Sequence, residues 1–203
     1  MIYSYLTIKG PSEGVYKEKG SRFLAFGFPV TNEEQVRAHV EKLKREFHDA
    51  RHHCFAWILG PEKVRFRAFD DGEPAHSAGD PILGQLKQLD LTDVLVVVVR
   101  YFGGVKLGVG NLAGAYKAAA REALANASIV EREIKEDYLI QFPYLSTSEV
   151  MKLVKAFDLE ILEQHFHEEC QMKVNVGLRD EGAFLKRVSL LQALKVALKV
   201  TKY

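Results

Sequence analysis

Hydrophobic positions along this chain recur with two different periods, and turn residues mark the points where one gives way to the other. Residues 15–20 and 21–30 read as two short strands around a polar turn, carrying the aromatics Tyr16, Phe23, Phe26 and Phe28. Thr31, with Glu34 three residues on, has the spacing of a capping box. Val36, Val40, Leu43 and Phe47 then follow at helical spacing, while Glu41, Lys42, Lys44 and Arg45 face outward. The run HCFAWILG is apolar on both alternating faces and predicts a buried strand ended by Gly60-Pro61. VRFRAF alternates and predicts a half-exposed strand with Arg65 and Arg67 on its wet face. Residues 70–81 read as a polar loop, and 84–89 as part of a short helix. VLVVVV, at 94–99, is the strongest strand signal, apolar on both faces as a buried strand must be. Residues 112–127 predict a helix whose Ala115, Ala118, Ala119, Ala123 and Ala125 let it approach a sheet closely. This first region reads as α/β.

The polar run EREIKED then marks a boundary. Beyond it come a strand through Phe142, a helix opened by a Ser146/Glu149 capping box, and a strand at 159–166. A partner strand with Met172, Val174, Val176 and Leu178 alternating follows the turn HEE. Asp180 is placed to cap a helix to about residue 191, and Leu194 to Val200 alternate toward the end. Strand, helix, two strands, helix, strand is the ferredoxin-like order. Two domains are expected, 1–132 and 133–203.

Composition excludes several classes. With 28 basic and 27 acidic residues the net charge is +1, so no global field draws the chain to nucleic acid or membrane. The longest apolar run, 94–99, is too short to span a bilayer, and MIYSYLTIKG lacks the layout of a secretion signal. Cys54 and Cys170 stand alone without CxxC spacing, suggesting neither a disulfide framework nor a zinc site. A cytoplasmic protein without membrane partners, cofactor or metal is the expectation.

Three stretches could carry chemistry. In RYFGGVKLGVGNLAGAY, the glycines Gly103, Gly104, Gly108 and Gly110 precede a predicted helix, where free backbone amides and the helix dipole favour an anion. Arg100, Tyr101, Lys106 and Asn111 would complete such an anion or RNA cradle. No Gly-Lys-Ser/Thr occurs, so this is not a Walker loop. GVGNLA fits G-x-G-x-x-G/A, but seven residues separate it from Arg100, and no acidic residue closes a second strand as a dinucleotide site requires. A plain strand-to-helix corner explains the same glycines. The second stretch, DDGEPAHSAGDP, gathers Asp70, Asp71, Glu73, His76 and Asp80. Clustered carboxylates suit a hard cation or acid/base work with His76, and an Asp-Gly, Glu-Pro turn explains them equally. Third, DARHHC offers Arg51, His52 and His53; with Arg65, Arg67, Arg100 and Lys106 they could form a basic rim for phosphates. The bland alternative is a solvated face with one packed histidine.

DARHHCFAW, DDGEPAHSAGDPIL and VVVRYFGGVKLGVGNLAGAY together resemble the YigZ/IMPACT family, over about residues 49–116. The resemblance implies an α+β chain. Its N-terminal domain would share the left-handed βαβ fold of a small-subunit ribosomal protein and elongation factor G domain IV. Its C-terminal domain would be ferredoxin-like, similar to elongation factor G domain V. It corrects the α/β reading of the first region. Eukaryotic members regulate translation through a starvation-kinase pathway and carry an extra N-terminal module. This chain starts almost at the family domain, so the bacterial two-domain form is expected and the kinase role is not carried over. Bacterial relatives often have Gly-Thr-Ala-Gly where this chain has His76-Ser77-Ala78-Gly79. Small-molecule kinases of the same fold group bind phosphates at a glycine-rich helix start that LGVGNLAGA resembles, an analogy of fold alone.

Two functions are therefore expected. The first is a non-enzymatic, translation-associated protein that binds RNA, a ribonucleoprotein surface or a protein partner. The alternative is a phosphate- or nucleotide-binding enzyme or small-molecule binder that uses the glycine loop with Asp70, Asp71 and Glu73. Whether a reaction is catalysed stays open in the sequence.

Overall fold

A computed structural model describes all 203 residues. They divide into two units, Ile2–Arg132 and Glu133–Tyr203, the latter grouped with Met1. Both are α+β in construction.

In the first unit β1 (Ser4–Ile8) and β7 (Ile129–Glu133) form a small two-stranded sheet. The main sheet is built from β2 (Ser12–Glu18), β3 (Ser21–Pro29), β4 (His52–Leu59), β5 (Arg65–Phe69) and β6 (Val94–Tyr101). Its order is β2-β3-β6-β4-β5, and every pairing is antiparallel. The all-apolar β6 lies at the centre because both its faces are covered. One face, through Val94, Val96 and Val98, joins Phe23, Ala25, Cys54, Ala56 and Ile58 beneath α2 (Gly79–Gln88) and α3 (Val109–Ala125). The other, through Leu95 and Val97, joins Trp57 and Leu59 beneath α1 (Glu33–Glu46). Of the alanines expected against the sheet, Ala115, Ala119 and Ala123 are fully or almost fully buried on the first face, joined by Ala120, whereas Ala118 is half-buried and Ala125 is exposed.

The local signals at helix starts were displaced. The N-cap of α1 is Asn32, not Thr31: its side chain accepts from the Gln35 N–H at 2.9 Å, while Gln35 Oε1 accepts from the Thr31 N–H at 2.8 Å. Helix α2 starts at Gly79, inside the stretch read as loop, because Asp70 caps it from nine residues upstream. Asp70 Oδ1 accepts from Ala78 N and Gly79 N at 3.0 and 2.8 Å, and Oδ2 from His76 N at 2.9 Å.

The second unit comprises β8 (Lys135–Pro143), α4 (Thr147–Ala156), β9 (Glu160–His165), β10 (Glu169–Gly177), α5 (Glu181–Ala193) and β11 (Lys199–Lys202). Its antiparallel sheet has the order β11-β8-β10-β9, so the first and third strands are the inner pair. Tyr138, Ile140 and Phe142 of β8, with Met172, Val174 and Val176 of β10, meet Val150, Leu153, Phe184 and Val188 of the helices in one core. A single 3₁₀ turn, Tyr144–Ser146, precedes α4, so Ser146 makes no side-chain cap and the expected Ser146/Glu149 box is not formed. Asp180 is the N-cap of α5 by position, again without a side-chain bond. β7 and β8 run through EREIKED.

The candidate site: a cleft at the glycine corner

Period-two alternation settles which candidates can meet. In β6 the even positions face α2 and α3, so Arg100 continues the line of Val96 and Val98 into the core. A guanidinium there must find a partner, and it finds Glu73. Arg100 Nη1 donates to Glu73 Oε1 at 2.5 Å, with the two side chains only 8% and 5% exposed. Tyr116, fully buried on α3, donates its hydroxyl to the same Glu73 oxygen at 2.8 Å. The Cys54 thiol lies 3.3 Å from that hydroxyl and 3.0 Å from the Asp70 carbonyl oxygen. Burial pushes the Cys54 thiol and the Tyr116 phenol well above their usual values, so both stay neutral and the thiol is unreactive. The guanidinium carbon of Arg100 also sits between two rings, 5.5 Å from the Phe23 centroid and 5.7 Å from that of Phe102.

Beyond Arg100 the chain turns. Gly103 is held where a Cβ would overlap the backbone of Gly20 and Ser21, and its N–H donates to Ser21 Oγ at 3.1 Å. Only glycine allows that approach. Gly104 and Gly108 both have positive φ, at +87° and +78°, and Gly108 stands at the N-cap of α3 with no side-chain cap. Between the corner and the acidic loop opens a cleft of about 370 Å³. Glu73, Pro74, Arg100, Phe102, Lys106 and the first turn of α3 line it. Lys106 is exposed and free of any ion pair within the chain. The Nε of Arg100, out of reach of water, has no hydrogen-bond partner. A positively biased helix end, a free ammonium and an under-used guanidinium thus share one small space.

The acidic loop is dispersed instead. Asp70 caps α2: burial works to raise its pKa, but the N–H groups of Gly79, His76 and Ala78 outweigh it and hold the carboxyl below the usual range. Asp71 accepts from His53 N at 2.7 Å and pairs with Lys44 at 3.4 Å. His76 turns outward and meets Asp80 at 2.6 Å. Its φ of +64° lies in the left-handed region that favours glycine. Of the carboxylates only Glu73 faces the cleft. No group of three His, Cys, Asp or Glu side chains converges to hold a metal.

The basic rim is not one surface. Arg65 and Arg67 pair opposite Leu59 and Trp57, on the α1 face of the sheet, whereas Arg100 lies on the α2–α3 face. Arg65 is bound to Glu33 at 2.9 Å, and Arg67 lies over Phe69. His52 and His53 do point to opposite faces; His52 Nδ1 donates to the Asp71 carbonyl at 2.9 Å. His53 is 5% exposed, and burial lowers its pKa against the opposing pull of Asp71. Arg51 is exposed at the start of β4. Tyr101 belongs to the α1 face and donates to Asp49 at 2.7 Å. Asn111 is occupied in bracing the corner, donating to the Leu107 carbonyl at 3.0 Å. Phe102 and Tyr116 carry no motif of their own in the sequence. The signal for them was Arg100 itself, a charge at a core-facing position of a valine strand.

The Impact N-terminal domain model matches residues 19–124, which contain every residue of the cleft. IMPACT family member YvyE of Bacillus subtilis is 32% identical over 184 residues, 91% of this chain and 85% of that protein. IMPACT family member YigZ of Escherichia coli is 34% identical, over 84% of this chain and 85% of that protein. A crystal structure described as that of a hypothetical protein matches with a TM-score of 0.75 and 29% identity, covering 100% of this chain and 98% of that one. The match to the domain model and the identity to these relatives over most of both chains show that the chain belongs to the IMPACT family.

Proposed function

We propose that this chain is a non-enzymatic, translation-associated protein that binds RNA phosphate, on its own or on a ribonucleoprotein surface, through the cleft at the glycine corner. The observation that carries the reading is Arg100. It lines the cleft almost wholly buried, uses one of its five donors on Glu73, and stands beside an uncapped helix N-terminus and Lys106. A guanidinium already out of water contacts phosphate more strongly than an exposed one, since little solvent competes. Family membership supports the link to translation, because its eukaryotic members act there. The same reading takes the N-terminal unit as similar to elongation factor G domain IV and the C-terminal unit as ferredoxin-like, the latter supported by its sheet order. It places the protein in the cytoplasm.

A net charge of +1 and the split rim mean few phosphate contacts. Filter binding of structured RNA at two salt concentrations should therefore give a shallow slope, about −1 to −2 in log K against log salt for two or so contacts. Absence of binding at low salt, or a slope of zero, overturns the reading.

A second reading, a phosphometabolite binder or enzyme, draws on the placement of Glu73 in the cleft. Its acid/base equipment reduces to that one carboxylate, because Asp70 and Asp71 are engaged elsewhere. A thermal-shift screen of nucleotides and phosphorylated metabolites tests it; a rise with a metabolite and none with RNA would favour it.

A further inference from the structure

Three properties of the cleft are not accounted for by a bare phosphate site. First, its size, about 370 Å³, sits at the small end of ligand pockets, which run from roughly 300 to 1,000 Å³. Second, Phe102 projects at its mouth. It is 56% exposed, the most exposed phenylalanine of the chain, and Arg100 lies over its ring. Third, the positive charges do not form a track. Arg65 and Arg67 lie across the sheet from Arg100, so neither continues a line of cations from the cleft for a nucleic acid backbone to follow. A running duplex needs such a line, and a single nucleotide does not. There is also room above the loop: a Cβ placed on Gly104, Gly108 or Gly110 would meet nothing within 4 Å.

Resting on the phosphate reading above, we propose that the cleft takes one unpaired nucleotide, its phosphate against the α3 N-terminus, Arg100 and Lys106 and its base stacked on Phe102. Each part has a separate chemical reason. The N–H groups of the first turn of α3 have no side-chain cap and are free to donate to an anion. Arg100 presents its remaining donors from a fixed position, clamped between Phe23 and Phe102 and tethered by Glu73. The ring of Phe102 offers a stacking surface that tolerates any base, and Pro74, Leu107, Val109 and Leu112 give the cleft an apolar wall. One site of this kind recognises a nucleotide that is not paired, whether it is free in solution or turned out of an RNA strand.

The two sources, and the phosphate reading itself, separate in one experiment on the full chain. Fluorescence anisotropy would be measured with a labelled single-stranded RNA, with the same sequence as a duplex, and with fluorescently labelled adenosine monophosphate as a separate probe. The single strand is expected to bind at least about tenfold more tightly than the duplex. Phe102→Ala should weaken single-strand binding by about 5- to 150-fold, the range of one base–aromatic stack. Lys106→Ala should weaken single strand and duplex alike and flatten the salt slope by about one contact. Both side chains are exposed, and a thermal melt confirms that each variant is folded. Equal binding of duplex and single strand, or an unchanged Phe102→Ala, overturns the nucleotide inference while the phosphate reading stands. Saturable binding of the monophosphate without any RNA binding supports the inference with a free nucleotide as the source, and overturns RNA. No binding of either probe at low salt overturns both.

Discussion

Removing one member of the Arg100–Glu73 pair should destabilise the N-terminal unit far more than removing both. The side chains are 8% and 5% exposed, 2.5 Å apart, and Glu73 has a single further donor in Tyr116 at 2.8 Å. Arg100→Met keeps most of the stem between Phe23 and Phe102 and deletes the charge, leaving an uncompensated carboxylate in the core. Stranding one charge of a buried pair costs about 3–5 kcal/mol, while replacing the whole pair by neutral groups of similar volume is close to neutral. A typical domain has only about 5–15 kcal/mol to lose. In urea, with a slope of about 2 kcal/mol/M, the single variant's midpoint should fall by roughly 2 M. Glu73→Gln should cost a comparable amount by stranding the guanidinium, and the double variant Arg100→Met, Glu73→Gln should recover most of either loss. The assay reads the correct unit because the chain has one tryptophan, Trp57, buried on the opposite face of the same sheet. Its fluorescence follows that sheet and is not confused by separate unfolding of residues 133–203. A loss under about 1 kcal/mol in either single variant, or a double variant as unstable as the two losses added, would refute the claim that the pair is coupled in the core.

Two further outcomes follow from the backbone. Gly103→Ala forces a Cβ into the Gly20–Ser21 backbone, where no flexible side chain can yield, so a loss beyond the 1–3 kcal/mol of ordinary overpacking is expected in the same melt; a loss under 1 kcal/mol would count against the close approach. Asp70 has a folded pKa below the ordinary aspartate value, so its contribution is full above the unfolded value and disappears as pH falls through the folded one. Asp70→Asn should thus cost about 1–2 kcal/mol at neutral pH, the scale of a lost helix cap, and the gap from the parent should narrow below about pH 4; a gap constant from pH 7 to pH 3 would exclude the charge as its cause.

Where elements rest on period, the sequence was readable. VLVVVV could only be a strand covered on both faces, and it is the middle strand. Val36, Val40 and Leu43 all face the core as their spacing requires. What misled was chemistry acting at a distance along the chain. Helix α2 starts five residues earlier than its apolar spacing indicates because its cap, Asp70, lies on the far side of a turn. Asn32 competes with Thr31 for the α1 cap, and which wins is decided by where Gln35 can reach back. The site shows the same division. The glycine corner was visible as composition, yet the acidic cluster beside it suggested a shared function that its geometry denies, because neighbours in sequence point at α2, Lys44, the cleft and solvent in turn. The basic rim failed for a simpler reason: register sets Arg65 and Arg67 of β5 on the opposite face of the sheet from Arg100 of β6, and residues on two faces cannot line one groove.

A chain with a net charge of +1 is a poor candidate for long-range attraction of an anionic ligand, and the proposed site would bind one without it. Long-range attraction scales with total charge, but the strength of a contact depends on how little water surrounds it. Glu73 lowers the free-energy cost of holding Arg100 out of water, and a planar guanidinium can satisfy a carboxylate through one nitrogen while keeping other donors for a second partner, which a lysine ammonium in the same place would do with less geometric control. The carboxylate that cancels Arg100 in the charge count is therefore the group that lets it stay buried and oriented. Binding built this way is short-ranged, weakly dependent on salt and selective for shape, which suits a single nucleotide in a corner better than a polyanion along a face.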